Sequence, residues 1–121
     1  MKSWLILGSI IMALAVIAGA FGAHGLKDKI SPDNLKTYEK AVQYQGYHAI
    51  GLMIIGILGF HISKDLLGLP AMFFVIGIAF FSGSLYLLVL TGMRWLGVIT
   101  PIGGAAFILG WSLLAWNLLT G

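Results

Sequence analysis

"AGAFGAHGLKDK", residues 18–29, closes an apolar run with small residues, one histidine and two lysines flanking an aspartate. An uninterrupted apolar segment that ends abruptly on charge is how a helix leaves a bilayer, so this stretch decides between a membrane fold and a soluble one. Reading back from Lys27, the preceding charge is Lys2. The interval suffices, because about 30 Å of hydrocarbon takes roughly 20 apolar residues of helix.

The rest of the chain repeats the pattern. Of 121 residues, 60% are hydrophobic and 9% are charged, against about a quarter charged in ordinary soluble domains. A soluble domain of this length would leave much of that apolar surface in water. Lipid solvates it instead. Charges delimit four spans, about residues 4–23, 46–62, 70–91 and 97–119. The expected fold is all-α: an integral membrane four-helix bundle in one domain, 1–121. The absence of cysteine excludes disulfides, thiolate metal sites and cysteine nucleophiles. No basic cluster interleaved with aromatics suggests a nucleic-acid partner.

Span 1 also resembles a secretory signal, with Lys2, an apolar core and Ala18-Gly19-Ala20 as a cleavage site. Its apolar run is long for a signal core, and a retained helix is expected. With four spans, Lys27, Lys29, Lys36, Lys40 and Arg94 share one side, while Lys2 and Lys64 share the other. The positive-inside rule then sets the protein in the cytoplasmic membrane with both termini outside the cytoplasm. Tyr44, Tyr47 and Trp95 would line the inner interface, Trp4 and Trp116 the outer one.

The first connection carries helix signals of its own. Ser31-Pro32-Asp33 reads as N-cap, first helical residue and acidic first turn. Leu35, Tyr38, Val42 and Gln45 recur at i, i+3, i+7 and i+10, with Lys36, Lys40 and Gln43 elsewhere on the wheel. This predicts a short amphipathic helix over about 32–45, lying at the cytoplasmic interface and turning into span 2 near Gly46. One continuous long helix is the competing geometry. Gly68-Leu69-Pro70 and Thr100-Pro101 mark the starts of spans 3 and 4. Ala15, Gly19 and Ala23 recur every four residues, a spacing that lets membrane helices approach closely, and Gly103, Ala106 and Gly110 form a comparable face on span 4.

Chemistry has few candidates. No Asp, Glu, Lys or Arg falls well inside a span, which argues against a charge-driven pump. The polar residues gather in one leaflet: His24 at the end of span 1, Tyr44, Gln45 and His48 at the start of span 2, Tyr86 and Thr91 near the inner end of span 3, and Thr100 at the start of span 4. His24, Tyr44, Gln45, His48, Tyr86 and Thr100 form a candidate polar pocket, for which an interfacial hydrogen-bond clamp is the simpler reading. Two imidazoles supply half of a tetrahedral zinc shell, and His61 lies roughly 20 Å along the helix from His48, so no metal site is expected. Ser82 and Ser84 lack an acid–histidine partner set, so helix–helix bonding is their expected task. The start of span 4, with Gly103 and Gly104, is a candidate site for an anion or lipid head group, with Arg94, Lys27 and Lys29 around it.

"GAFGAHGL" (19–26), "YEKAVQYQGYHAIGL" (38–52), and "FFSGSLYLLVLTG" (80–92) with "ITPIGG" (99–104) together resemble the YgdD/YwdK-like family of small bacterial membrane proteins, which also has a eukaryotic branch. The resemblance covers nearly the whole chain and implies a four-helix protein of the bacterial cytoplasmic membrane. It carries no reaction. Its motif positions include Gly22, His24, Gly25, Gln45, His48, Ser82, Gly83, Tyr86, Pro101, Gly103 and Gly104. The expected function is non-enzymatic and cofactor-free, binding membrane lipids or a membrane partner through the cytoplasmic-leaflet face, with a homo-oligomer as a further partner class. The alternative is a small-solute or ion channel or transporter acting as an oligomer.

Overall fold

The structure, a computed structural model, describes residues 2–121. Five α-helices build four rods: α1 (Lys2–Phe21), α2 (Pro32–Leu58), α3 (Gly68–Gly77), α4 (Gly83–Thr91) and α5 (Thr100–Thr120). The third rod is α3 and α4 joined by a π-helical turn, Ile78–Ser82, and a second π turn, Gly22–Leu26, extends α1. Three rods, Lys2–Leu26, Lys64–Thr91 and Arg94–Thr120, are long and apolar enough to cross a membrane.

Local chemistry sets the boundaries. Ser31 caps α2, its Oγ accepting from the Asn34 N–H at 3.1 Å, with Pro32 in the first turn as the sequence predicts. Gly92 stops α4 in the left-handed region at φ 74°, where its N–H bonds to Leu88 O. Ser63 caps the short turn before α3.

One expectation is corrected here. The separate interfacial helix over 32–45 does not form; α2 runs unbroken for 27 residues through Gly46. No proline interrupts it, and α1 packs alongside it on both sides of Gly46, from Tyr38 to Ala49. The predicted apolar face is right in direction, since Tyr38 and Gln45 are buried while Lys36, Lys40 and Gln43 are exposed. It faces α1 rather than the membrane surface.

The α1 seam also differs from the expected Ala15, Gly19, Ala23 row. Ala15 is buried, Gly19 is half-buried and Ala23 is exposed. A Cβ on Gly8 would meet Ala49 O at 2.7 Å, and one on Gly22 the Tyr38 ring at 2.5 Å. Ile11 and Ala18 accept hydrogen bonds from α2 between these points. The contact positions 8, 11, 15, 18 and 22 are therefore a heptad series, the repeat of left-handed helix pairs, rather than a four-residue row.

Helix α2 is the centre of the bundle. It buries nine residues against two for α1. Leu52, Ile55, Leu67, Ala71, Phe74 and Leu114 form a core from which solvent is excluded, with Trp4 and Leu66 packed against it. Asn117 Nδ2 donates to Leu66 O, so both chain ends and the 59–67 connection lie at one end of the bundle. At the other end Leu26 and Tyr38 pack with Tyr86, Leu88 and Val89.

Candidate functional site

The polar residues of the candidate pocket other than His24 sort into three arrangements. In the first, Gln45, 7% exposed, bridges three rods. Its Nε2 donates to Ile11 O at 3.0 Å and its Oε1 accepts from the Tyr86 hydroxyl at 2.6 Å. Tyr86 packs edge-on against Tyr38 with centroids 5.3 Å apart, and the Tyr38 hydroxyl donates to Ala18 O at 2.6 Å.

The second surrounds His48, 4% exposed. Its Nε2 accepts from the Trp111 indole N–H at 2.9 Å, which leaves Nδ1 to carry the proton and donate to Tyr44 O at 2.8 Å. The imidazole lies flat on Phe107 with centroids 3.5 Å apart and meets Phe74 edge-on. Tyr44 packs against Phe81 and Phe107. Both ring nitrogens are thus occupied in one tautomer.

The third joins the rods at the π turn. There the Gly83 N–H bonds to Ile78 O, five residues back, and the widened turn aims successive polar groups at different neighbours. Buried Ser82 donates to Ala41 O of α2 at 2.7 Å, while Ser84 pairs with Thr100 of α5 at 2.6 Å. A Cβ on Gly103 would fall on Phe81 N and lie 2.7 Å from Phe80 C, so α5 rests directly on the backbone of this turn.

His24 joins none of these. It sits exposed on the Gly22–Leu26 π turn. The antiparallel register that sets Ala18 and Gly22 on Tyr38 leaves His48 ten residues, roughly 15 Å, farther along α2. A shared His24–His48 pocket is therefore corrected to a buried His48 and a surface His24.

The candidate head-group site at α5 is altered for a related reason. Gly103 is a buried packing residue, and the Ile102 and Gly103 amides already bond to Ile99 O. Thr100 bonds to Ser84 and Leu96 O instead of capping the helix. Lys27, Lys29 and Arg94 are exposed, and Gly104 is half-buried against Phe81. Among the described residues no group of three or more His, Asp or Glu is placed to hold a metal ion. The cross-helix bonds of Ser82 and Ser84 are the helix–helix task expected of them, while sequence reasoning missed Trp111 and Gly8. The seven-residue spacing of Gly8, Ala15 and Gly22 is the signal that could have found the last.

What these contacts define is a small helical membrane protein whose interior polar side chains fasten one rod to another. Its family follows from comparison with known sequences. A family model described as "Protein of unknown function (DUF423)" matches residues 18–104. A UPF0382 membrane protein of Staphylococcus epidermidis is 50% identical over 94% of this chain and 93% of its own. The UPF0382 membrane protein SAB0533 of Staphylococcus aureus is 51% identical over the same shares. The UPF0382 membrane protein YwdK of Bacillus subtilis is 44% identical over 94% of both chains. The chain belongs to this DUF423 (UPF0382) membrane-protein family, in agreement with the resemblance its motifs carry. No solved structure matches it.

Proposed function

We propose that this is a non-enzymatic protein of the cytoplasmic membrane that binds lipid through its cytoplasmic-leaflet face. One observation carries the reading. Polar groups inside the bundle are engaged with one another or with main-chain carbonyls, whereas Lys27, Lys29, Lys36, Lys40 and Arg94 stand exposed. All five flank the end where Leu26 and Tyr38 pack against Val89. A basic rim above an apolar, lipid-facing surface suits anionic lipid, at about 1 kcal/mol per basic side chain near the membrane surface.

The topology that sets this rim in the cytoplasm has both termini outside, by the positive-inside rule. Chain parity supports a crossing by α2 as well. α1 ends at the basic end and α3 starts at the opposite one, so the chain must traverse the bundle between them. Its exposed stripe grades from Lys36 and Lys40 through Gln43 and Tyr47 to Ile50, Ile54 and Ile57, as a half-exposed spanning helix would.

The test is lipid analysis by mass spectrometry of the protein purified from membranes without delipidation, alongside solute and ion flux in proteoliposomes. Retained anionic lipid with no flux is expected. Selective flux, or a protein stripped of lipid under mild extraction, would overturn the proposal.

A further inference from the structure

A groove runs along the outer side of the α1–α2 seam. Its half nearer the basic end, about 610 Å³, is walled by Gly19, Gly22, Ala23 and Val42, and its mouth carries Lys27, Glu39 and Gln43. The other half, about 550 Å³, is walled by Met12, Val16, Ala20, Gly46 and Ile50, and shares Gly19, Val42 and Gln43 with the first. The two adjoin as one shallow, open groove along the protein surface, charged at one end and apolar along the rest.

Length and charge identify its occupant. From Met12 to Lys27 the helix rises about 22 Å, close to one leaflet of a bilayer that measures roughly 40–45 Å with its head groups. The polar end of the groove carries Lys27, with exposed Lys29, Lys36 and Lys40 in the adjoining 27–40 segment, and the apolar end points toward the bilayer centre. The geometry points to one anionic phospholipid of the cytoplasmic leaflet, an acyl chain laid in the groove and its phosphate at Lys27. Glu39 at the mouth, with exposed Asp28 and Asp33 in the same segment, opposes the head group. Lys27, Lys29, Lys36, Lys40 and Arg94 outnumber these carboxylates and leave the rim net positive. This inference rests on the lipid-binding reading and narrows it to one site.

Native mass spectrometry of the full chain in micelles doped with phosphatidylglycerol or phosphatidylcholine tests it. One phosphatidylglycerol should be retained in preference to phosphatidylcholine. Lys27→Gln should weaken it roughly fivefold, the effect of one basic side chain at the surface, and Lys64→Gln at the opposite end should not. Glu39→Gln should tighten it. Ala20 and Ala23 are exposed, so Ala20→Leu with Ala23→Leu should fill the groove and expel the lipid without changing the melting temperature in detergent. Phosphatidylglycerol retained by that double variant would overturn the groove while leaving lipid binding elsewhere intact. Equal retention of phosphatidylcholine, with Glu39→Gln weakening binding, would overturn the anionic head group. Loss of both lipids from the unaltered protein would overturn this site and the wider proposal together.

Discussion

Gly103 and Gly104 are adjacent, yet alanine at the two positions should have opposite effects. A methyl on Gly103 would fall on Phe81 N and sit 2.7 Å from Phe80 C and Phe81 Cα, all main-chain atoms of the π turn. Side chains can rotate away from such a clash; a backbone cannot. Restoring ordinary contact at 3.4 Å requires α5 to withdraw by more than about 1 Å, because Phe81 N lies nearer still than Phe80 C. The Ser84–Thr100 bond, 2.6 Å long at the same level, would then stretch beyond the usual hydroxyl range. Overpacking costs about 1–3 kcal/mol, and an interhelical hydrogen bond in a membrane contributes about 0.6 kcal/mol. A methyl on Gly104 meets nothing nearer than Phe81 Cδ2 at 3.8 Å. Both variants gain about 1 kcal/mol of helix propensity, so the difference between them isolates the packing. That difference should be roughly 1.5–3.5 kcal/mol, read from equilibrium unfolding in mixed detergent–SDS micelles by fluorescence of the four tryptophans. If the two variants unfold within about 0.5 kcal/mol of each other, α5 does not rest on the π turn and the account of Gly103 is refuted.

Three further outcomes follow from the contacts. Gln45→Leu leaves the Tyr86 hydroxyl without its acceptor and should destabilise by about 1–3 kcal/mol, whereas Tyr86→Phe should cost less; equal losses in the same unfolding assay would mean the Gln45–Ile11 bond contributes nothing. Gly8→Leu should disrupt the α1–α2 pair because Ala49 O blocks it at 2.7 Å, while Gly19→Ala, with Val42 Cγ1 at 3.4 Å, should be tolerated; the reverse order in thermal stability would restore the four-residue row as the contact face. Paired reporter fusions at Gly121 and near Asp33 should report the first outside the cytoplasm and the second inside, and a cytoplasmic Gly121 would invert the topology.

Much of the architecture is legible in the sequence because lipid imposes a coarse rule: long apolar segments end at charges. Ser31-Pro32-Asp33 and the Gly68–Pro70 start are equally local, and the structure keeps both. What is not legible depends on partners. The Ala15, Gly19, Ala23 row and the Gly8, Ala15, Gly22 series both satisfy small-residue packing, and only the register against Tyr38 and Ala49 separates them. His24 and His48 look equivalent near the ends of consecutive helices. Extending α2 nearly four turns before Gly46 removes that symmetry, carrying the helix pair past the level at which His48 is buried. The π turns leave no periodic trace at all, since one extra residue per turn shifts the pattern without breaking it.

The polarity of α2 has the same origin. By composition it is the rod that does not qualify as a membrane span, because Gln43, Tyr44, Gln45 and His48 dilute its apolar half. Gln45 and His48 are also among its buried residues. In a soluble protein the buried helix is the most apolar; here the surroundings are hydrocarbon, and apolar contact no longer distinguishes a neighbouring helix from lipid. Hydrogen bonds do. Ile11 O, Ala18 O, the Tyr86 hydroxyl and the Trp111 indole each find their partner on α2, and the Ala41 carbonyl of α2 takes the Ser82 hydroxyl. On the proposed topology α2 is thus the helix least able to insert alone and the one that specifies how the other three are arranged around it.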